Sequence, residues 1–270
     1  MKANSPMGKR YCAELLGKLV DIPSSFPHEE EVMLFLEREL TTLGLRPERI
    51  EVEEARFNLL CRIGAGERRV CLNAHGDTVP PNGESTPNAR IDGDTLFGLG
   101  SCDDKASIAA IVTAGLELAS RADELVFGVD VMISVDEEDG AKGVETAIKR
   151  GYRCDYAIVG EPTELDIVRS HNGLTWFTLT TKGVAAHGSA PWVGVSAIDR
   201  MMQVVHELKQ AVEEFPKNPI TGPCSLNLGM IKGGDLPNRV PETCEAVVDI
   251  RVAPPDRKST RLNSSHMPVS

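Results

Sequence analysis

The stretch VCLNAHGDTVPP, residues 70–81, joins an apolar run to His75 and Asp77 and then to two prolines. A short apolar run that ends at turn residues is typical of a buried strand. The prolines end the strand because proline has no N–H to donate to a neighbouring strand. The sequence therefore predicts that an imidazole and a carboxylate lie where a buried strand ends.

Further strands and helices are predicted around this stretch. Apolar runs at 125–135 and 156–160 predict two more buried strands, and the Ala- and Leu-rich run at 107–120 predicts a buried helix. Within residues 58–74, NLLCRIG and RRVCLNA are predicted to form a hairpin through a glycine-rich turn. Strands that alternate with helices indicate an α/β layer with a largely parallel or mixed sheet.

The sequence pattern changes after residue 172. Residues 173–255 contain a half-exposed strand, an amphipathic helix at 196–215 and two more alternating strands. This order predicts a smaller α+β domain that lacks a closing helix and strand. We therefore expect a larger α/β domain in residues 1–172 and a smaller α+β domain in residues 173–255.

The composition limits the class of protein. The chain has 270 residues, 41% of them hydrophobic, a net charge of −11 and seven scattered cysteines. The charge argues against nucleic-acid binding, and the absence of a CxxC pair argues against a thiolate zinc site. No run approaches the ~18–20 apolar residues that span a bilayer, and the polar N-terminus does not resemble a signal peptide. We therefore expect a cytoplasmic globular protein that does not bind membranes.

The C-terminal residues differ from the rest of the chain. DRKSTRLNSSH, residues 256–266, is polar, lacks periodicity and follows two prolines. It resembles, residue for residue, one reading frame of a common sequencing adapter. We therefore expect residues 256–270 to be a non-native tail and both domains to be incomplete; the alternative is an ordinary disordered tail.

Four groups of potential metal ligands accompany the predicted strands. Carboxylates that meet at one edge of a sheet repel one another unless cations neutralise them. One imidazole with several carboxylates suits zinc, manganese or cobalt in a hydrolytic site. Each group alone has a plainer interpretation as a solvated strand end or a helix cap. The groups are His75 with Asp77, Asp103 with Asp104, Glu137 with Glu138, and Glu161.

Six motifs resemble those of the M20 metallopeptidase family, and they occur in the same order. They are AHGDTVPP, FGLGSCDDKAS, VDEEDGAKG, VGEPT, KGVAAHGSAP and GGDLPNRVPE. The resemblance covers residues 10–255. It implies a zinc-peptidase-like catalytic domain with a mixed sheet and an inserted, smaller, ferredoxin-like α+β lid or dimerisation domain. It also implies two divalent metal ions, zinc being favoured over cobalt or manganese, and a homodimer.

The resemblance implies a role for the ligand-type residues of the larger domain. His75 resembles a ligand of the first metal, and Asp77 resembles the carboxylate that orients the imidazole ring from behind. Asp103 resembles the carboxylate that bridges the two metals. Glu161 resembles the remaining ligand of the first metal, and Glu138 resembles a ligand of the second.

Four further residues have implied roles in the reaction. Glu137 resembles the general base that takes a proton from water and passes it to the leaving amine. His187 resembles the histidine that stabilises the oxyanion, and Asn238 and Arg251 resemble lid residues that bind the substrate carboxylate. The plainer alternatives are a turn at Asn238, an ion pair of Arg251 on an exposed sheet face, and a helix cap at residues 137–138.

The chain departs from the family pattern at several positions. Leu99 stands between two glycines where Arg is usual, and Asp104 stands where Met is common. The segment at 171–173 lacks the usual basic residue, which favours deacetylation over desuccinylation. Between residues 188 and 255 only His206, in the predicted helix, is a histidine, so nothing there replaces the last metal ligand of the family. The second metal site is therefore predicted to be incomplete and this chain to be catalytically impaired.

The predicted function is hydrolysis of the amide bond of an N-acyl amino acid, a deacetylase reaction of amino-acid biosynthesis. The close alternative is a dipeptidase or carboxypeptidase of the same family, because one site can hydrolyse either kind of amide. The alternative from another class is a non-catalytic metal-binding fragment. The partner would be a small N-acyl amino acid or a short peptide.

Overall fold

The computed structural model describes residues 6–83, 86–168 and 170–253. Contacts between residues divide the chain into two compact units, Met1–Leu165 (unit 1) and Asp166–Ser270 (unit 2). The predicted boundary between residues 172 and 173 stays a prediction. None of the helices in the described part of the chain has the length and apolar character that crossing a membrane requires.

Unit 1 contains the larger sheet and the helices that cover it. Its described elements, in chain order, are α1 (Pro6–Asp21), α2 (Glu30–Thr42), β1 (Pro47–Glu53), β2 (Arg56–Ile63), β3 (Arg69–His75), β4 (Arg90–Asp92), β5 (Thr95–Phe97), α3 (Lys105–Ala119), β6 (Gly128–Ser134), α4 (Lys142–Lys149) and β7 (Tyr156–Val159). The predicted α/β alternation is therefore confirmed.

The large sheet of unit 1 is mixed, with the strand order β1-β2-β6-β3-β7. Strand β6 is antiparallel to β2 and parallel to β3, and β3 is parallel to β7. The predicted hairpin between β2 and β3 is wrong, because β6 lies between them. The connection passes so close to the start of β6 that a Cβ on Gly66 would lie 2.5 Å from the backbone N of Gly128. β2 instead pairs directly with the preceding strand, β1.

Strand β6, inside the sheet, and strand β7, at its edge, differ in burial. Every residue of β6 is buried, as its apolar run predicts. Strand β7 was also predicted to be buried, but its four residues are exposed. The reason is that β7 lies at the sheet edge and, among the described elements, packs extensively only against β3. An apolar run therefore predicted the strand correctly and its burial incorrectly.

Helices cover both faces of the large sheet. Helices α1, α2 and α3 and the strands form the main apolar core, which includes Leu19, Leu36, Ile108 and Ile133. Helix α4 covers the other face, where Ala147 packs with residues of β2, β3 and β6. Because β3, β6 and β7 run parallel, their carboxyl ends meet at one edge of the sheet. Polar residues that follow these strands are thereby brought together.

Unit 2 is a three-stranded antiparallel sheet with one long helix. Its elements are β8 (Gly173–Lys182), α5 (Ala197–Glu213), β9 (Ser225–Gly233) and β10 (Thr243–Val252), with the strand order β8-β10-β9. Helix α5 begins after Ser196, whose hydroxyl accepts the backbone N–H of Asp199. The predicted order of strand, helix, strand and strand is confirmed. The predicted non-native tail, residues 256–270, lies outside the described residues.

Candidate metal centre

Three residues of unit 1 form a group with the geometry of a metal site. Their ligand atoms, from His75, Asp103 and Glu161, all lie within 4.8 Å of one another. His75 is the last residue of β3, Glu161 follows the end of β7, and Asp103 lies just before α3. His75 is buried, whereas Asp103 and Glu161 are exposed, so the group is open to solvent on one side.

The imidazole of His75 faces this group with Nε2. That atom lies 3.1 Å from Oδ1 of Asp103 and 3.9 Å from Oε2 of Glu137. The Glu137 side chain is about half exposed, at 47%. Solvent can therefore reach the carboxylate of Glu137, which the family resemblance implies to be the general base, and Nε2 of the buried His75 lies beside that carboxylate. This arrangement is what a hydrolytic site requires of a ligand and a neighbouring base.

Asp77 holds the other nitrogen of the ring. Nδ1 of His75 lies 3.1 Å from the backbone oxygen of Asp77 and 3.4 Å from its carboxylate Oδ1. The other carboxylate oxygen accepts the backbone N–H of Glu138 at 2.9 Å. Asp77 is fully buried and thus links the end of β3 to the turn that follows β6. It is placed as the predicted orienting residue would be.

The protonation of His75 and Asp77 responds to this contact. Burial by itself would lower the pKa of His75, but the hydrogen bond and charge of Asp77, with the charges of neighbouring carboxylates, raise it to about 10. Burial would raise the pKa of Asp77, but the hydrogen bonds from His75 and from the Glu138 backbone leave it below its ordinary value. The surroundings of the imidazole therefore favour a positive charge.

The pKa values of Glu161, Glu138 and Asp104 are raised. Burial, and then the charge of Glu137, raise the pKa of Glu161 to about 7. Burial, followed by the charge of Asp103, raises the pKa of Glu138. Burial raises the pKa of Asp104 to about 6, although the nearby Ser107 hydroxyl opposes the shift. Carboxylates that crowd together in this way are stabilised in their charged form by a divalent cation, so the donor set fits one.

The turn after β6 places Glu137 and Glu138. Asp136 has a left-handed backbone with φ of 69° and is fully buried. Its carboxylate accepts a hydrogen bond from Arg56 at 2.7 Å and one from the backbone N–H of Lys142 at 3.1 Å. Because β6 ends at Ser134, the two glutamates lie beyond the regular alternation of the strand and can point in different directions.

The loop before α3 is held by Lys105. This lysine is only 1% exposed, and its Nζ donates to the backbone oxygens of Leu19 at 2.9 Å and Ile22 at 2.7 Å. Burial lowers the pKa of Lys105 to about 8. The loop that presents Asp103 is thereby fixed to the end of α1.

The structure does not gather all the predicted metal ligands into one group. Glu138 is not a member of the three-residue group, although its backbone contacts Asp77. Its predicted role with a second metal therefore stays a prediction. The sequence groups Asp104 with Asp103 as a potential metal ligand, and Asp104 also departs from the family pattern. In the structure its carboxylate accepts the backbone N–H of His75 at 3.1 Å, and no sequence signal indicates that contact.

The remaining predicted residues lie in unit 2. His187 is exposed, and its Nδ1 lies 2.8 Å from the hydroxyl of Ser189. The backbone oxygen of Asn238 accepts the N–H of Gly188 at 2.7 Å, which joins the loops of these two predicted residues. Arg251 pairs with Asp249 on β10 at 2.9 Å, the pairing that the plainer alternative describes. The roles of His187, Asn238 and Arg251 stay predictions.

Comparison with protein families identifies the smaller unit. Residues 169–264 match the family described as the peptidase dimerisation domain. The match begins close to the boundary between the two units at residues 165 and 166.

Known sequences and structures resemble both units together. A protein of Aspergillus oryzae named "Probable carboxypeptidase" is 31% identical in an alignment that covers 90% of this chain and 64% of that protein. The acetylornithine deacetylase of Pasteurella multocida is 36% identical in an alignment that covers 83% of this chain and 61% of that enzyme. The chain thus spans less than two thirds of the length of these relatives.

Among solved structures, an M20 family metallo-carboxypeptidase from Sulfolobus solfataricus has a similar fold. Its TM-score is 0.74 at 16% identity, over 91% of this chain and 72% of that one. At this identity the likeness concerns the fold.

Proposed function

We propose that the chain belongs to the M20 peptidase family and forms the metal-binding part of an enzyme that hydrolyses amide bonds. The observation that supports the proposal most directly is the convergence of His75, Asp103 and Glu161 within 4.8 Å, where the parallel strands β3 and β7 end and just before α3 begins. An imidazole and two carboxylates are a ligand set that suits a hydrolytic zinc ion, with cobalt and manganese as alternatives.

The proposed reaction assigns separate tasks to the residues around the ion. A divalent cation at this site would lower the pKa of the attacking water and polarise the carbonyl group of the substrate. Glu137, whose carboxylate lies 3.9 Å from Nε2 of His75, would accept the proton of that water and pass it to the leaving nitrogen. Asp77 would keep the imidazole of His75 in the orientation that presents Nε2 to the cation.

Asp103 and Glu138 are the residues that would hold a second cation. Burial and the charge of Asp103 raise the pKa of Glu138, which is consistent with a carboxylate that lacks a compensating cation. We expect this second site to bind more weakly than the first, because only three ligand atoms of the described residues converge closely.

The proposed substrate is an N-acyl amino acid, with removal of an acetyl group as the first candidate. Similarity to an acetylornithine deacetylase supports this candidate, and similarity to a protein named as a carboxypeptidase supports peptide hydrolysis as the second. His187 is proposed to stabilise the oxyanion, and Asn238 and Arg251 to bind the substrate carboxylate. A homodimer through unit 2 is proposed from the dimerisation-domain match. The predicted cytoplasmic location stays a prediction.

Zinc titration of this chain, and a substrate panel on a full-length protein that contains it, test the proposal. Isothermal titration should show one tight site for zinc, and the assay should compare N-acetyl-ornithine, other N-acetyl amino acids and simple dipeptides. Glu137→Gln should abolish turnover and retain zinc binding, whereas Glu67→Gln, at an exposed loop position, should change neither. Failure to bind zinc would refute the metal site. Binding without turnover of any substrate would favour the non-catalytic alternative.

A further inference from the structure

Asp104 is a buried acid that the proposed reaction does not use. It is fully buried and is the residue immediately before α3. An aspartate at that position usually caps the helix by accepting a backbone N–H from the first turn. The side chain of Asp104 makes no such bond. Its location therefore needs an explanation other than helix capping.

The carboxylate of Asp104 instead binds the backbone of a residue of the candidate metal centre. Oδ2 accepts the backbone N–H of His75 at 3.1 Å, across 29 residues of sequence. Oδ1 is buried and has no hydrogen-bond partner of ordinary geometry among the described residues. A buried carboxylate with one oxygen unpaired is unfavourable unless a positive charge lies nearby. Asp104 adjoins two residues of the candidate site, because it follows Asp103 in the chain and binds the backbone of His75.

We propose that Asp104 is an electrostatic support of this site: it binds no cation directly, and its negative charge behind His75 raises the affinity of the site for a divalent cation. Asp104 is not a member of the group whose ligand atoms converge, which separates its role from that of Asp103. The inference rests on the proposed metal site, and it adds a residue that acts through charge and through the backbone of a ligand.

Charge and hydrogen bonding can be separated by substitution. A backbone N–H can be satisfied by any oxygen acceptor, so Asp104→Asn removes the charge and keeps an acceptor for the His75 N–H. Asp104→Ser is a second uncharged variant with an oxygen acceptor, in case the amide does not fit. The matched control is Asp123→Asn, which makes the same change in net charge at an exposed position.

The experiment is a zinc titration of the four proteins by competition with a fluorescent indicator at about pH 7.5, after circular dichroism has verified folding. We expect Asp104→Asn and Asp104→Ser to weaken zinc binding ~10- to 100-fold, the range seen when a residue behind a ligand is lost. Asp123→Asn should bind as the wild type does. The loss should persist in about 0.5 M salt, because buried charges are screened little.

Each outcome has a definite meaning. Wild-type affinity in both uncharged variants would overturn the inference, since the hydrogen bond to His75 would then be the whole role of Asp104. Equal weakening by Asp123→Asn would also overturn it, because any acidic residue would then suffice. A wild-type protein that binds no zinc would instead refute the proposed metal site, so the two failures are distinguishable.

Discussion

Arg56 joins acidic groups in the interior of unit 1, and replacing it should destabilise that unit severely. Its guanidinium donates to both carboxylate oxygens of Glu29, at 2.9 and 2.5 Å, and to Asp136 at 2.7 Å. Glu29 and Asp136 are fully buried. These contacts raise the pKa of Arg56, led by the hydrogen bond to Glu29. Arg56→Met keeps most of the stem and leaves two buried carboxylates without their cation.

The magnitude follows from the burial of the partners. Removing one member of a buried ion pair typically costs about 3–5 kcal/mol, because the remaining charge stays desolvated. We expect a loss of that size in the free energy of unfolding of unit 1. The matched control is Arg62→Met, since Arg62 pairs with Glu48 at 2.6 Å while the two side chains are 47% and 59% exposed. Exposed pairs contribute ~1 kcal/mol or less.

The assay can separate the two units. Both tryptophans of the chain, Trp176 and Trp192, lie in unit 2, so fluorescence reports that unit during urea unfolding. Far-UV circular dichroism reports both units. The unfolding transition of unit 1 is the one seen by circular dichroism and not by fluorescence. Arg56→Met should move this transition to lower urea concentration and leave the midpoint of the fluorescence transition unchanged. Equal losses for Arg56→Met and Arg62→Met would refute the argument that burial makes the Arg56 contacts strong.

Two further predictions concern pH and packing. The pKa of Glu161 is raised from 4.5 to about 7 in the folded protein. Its protonated form therefore stabilises the metal-free fold fully below pH 4.5, and this stabilisation is lost as the pH rises through 7. The melting temperature of the metal-free protein should fall between about pH 5 and 8. Saturating zinc should abolish this fall, and the same fall in the presence of zinc would contradict the prediction. Gly143→Ala should lower the free energy of unfolding by about 1–3 kcal/mol, because the new Cβ would lie 2.3 Å from the backbone oxygen of Val135. Gly17 lies within α1, and the nearest side-chain atom to a Cβ placed there is 3.9 Å away. Gly17→Ala should therefore raise the free energy of unfolding by up to ~1 kcal/mol. Urea unfolding that ranks the two variants in the opposite order would contradict the packing argument.

The sequence predicted the centre of the site because its residues follow strands that can be recognised locally. His75 and Glu161 each come directly after an apolar run, and parallel strands bring such residues to one edge of a sheet. The family resemblance added the order of the motifs and the roles of Asp103 and Glu137. Local pattern and family order together were sufficient to predict the mixed sheet and the α+β unit.

What the sequence could not predict depends on contacts between distant residues. The order of the strands places β6 between β2 and β3, and no local pattern distinguishes this order from a hairpin. The contact between Arg56 and Asp136 spans 80 residues, and that between Asp104 and His75 spans 29. Arg56, Asp136 and Asp104 are charged, and charged residues are ordinarily expected on the surface. Their burial follows from specific partners, which sequence periodicity does not reveal.

In several of these contacts a backbone N–H donates to a carboxylate, which explains how several acids can be held close together. Asp77 is held by the backbone N–H of Glu138, Asp104 by that of His75, and Asp136 by Arg56 and a further backbone N–H. A backbone N–H fixes a carboxylate in place without neutralising its charge. Arg56 compensates Asp136, and the imidazole of His75 faces Asp77, whereas the raised pKa values of Glu161 and Glu138 indicate that burial and neighbouring carboxylates outweigh nearby positive charge at these two acids. Binding of a divalent cation should consequently stabilise unit 1 as a whole, because it relieves repulsion between acids that the fold holds close together after β3, after β6 and before α3.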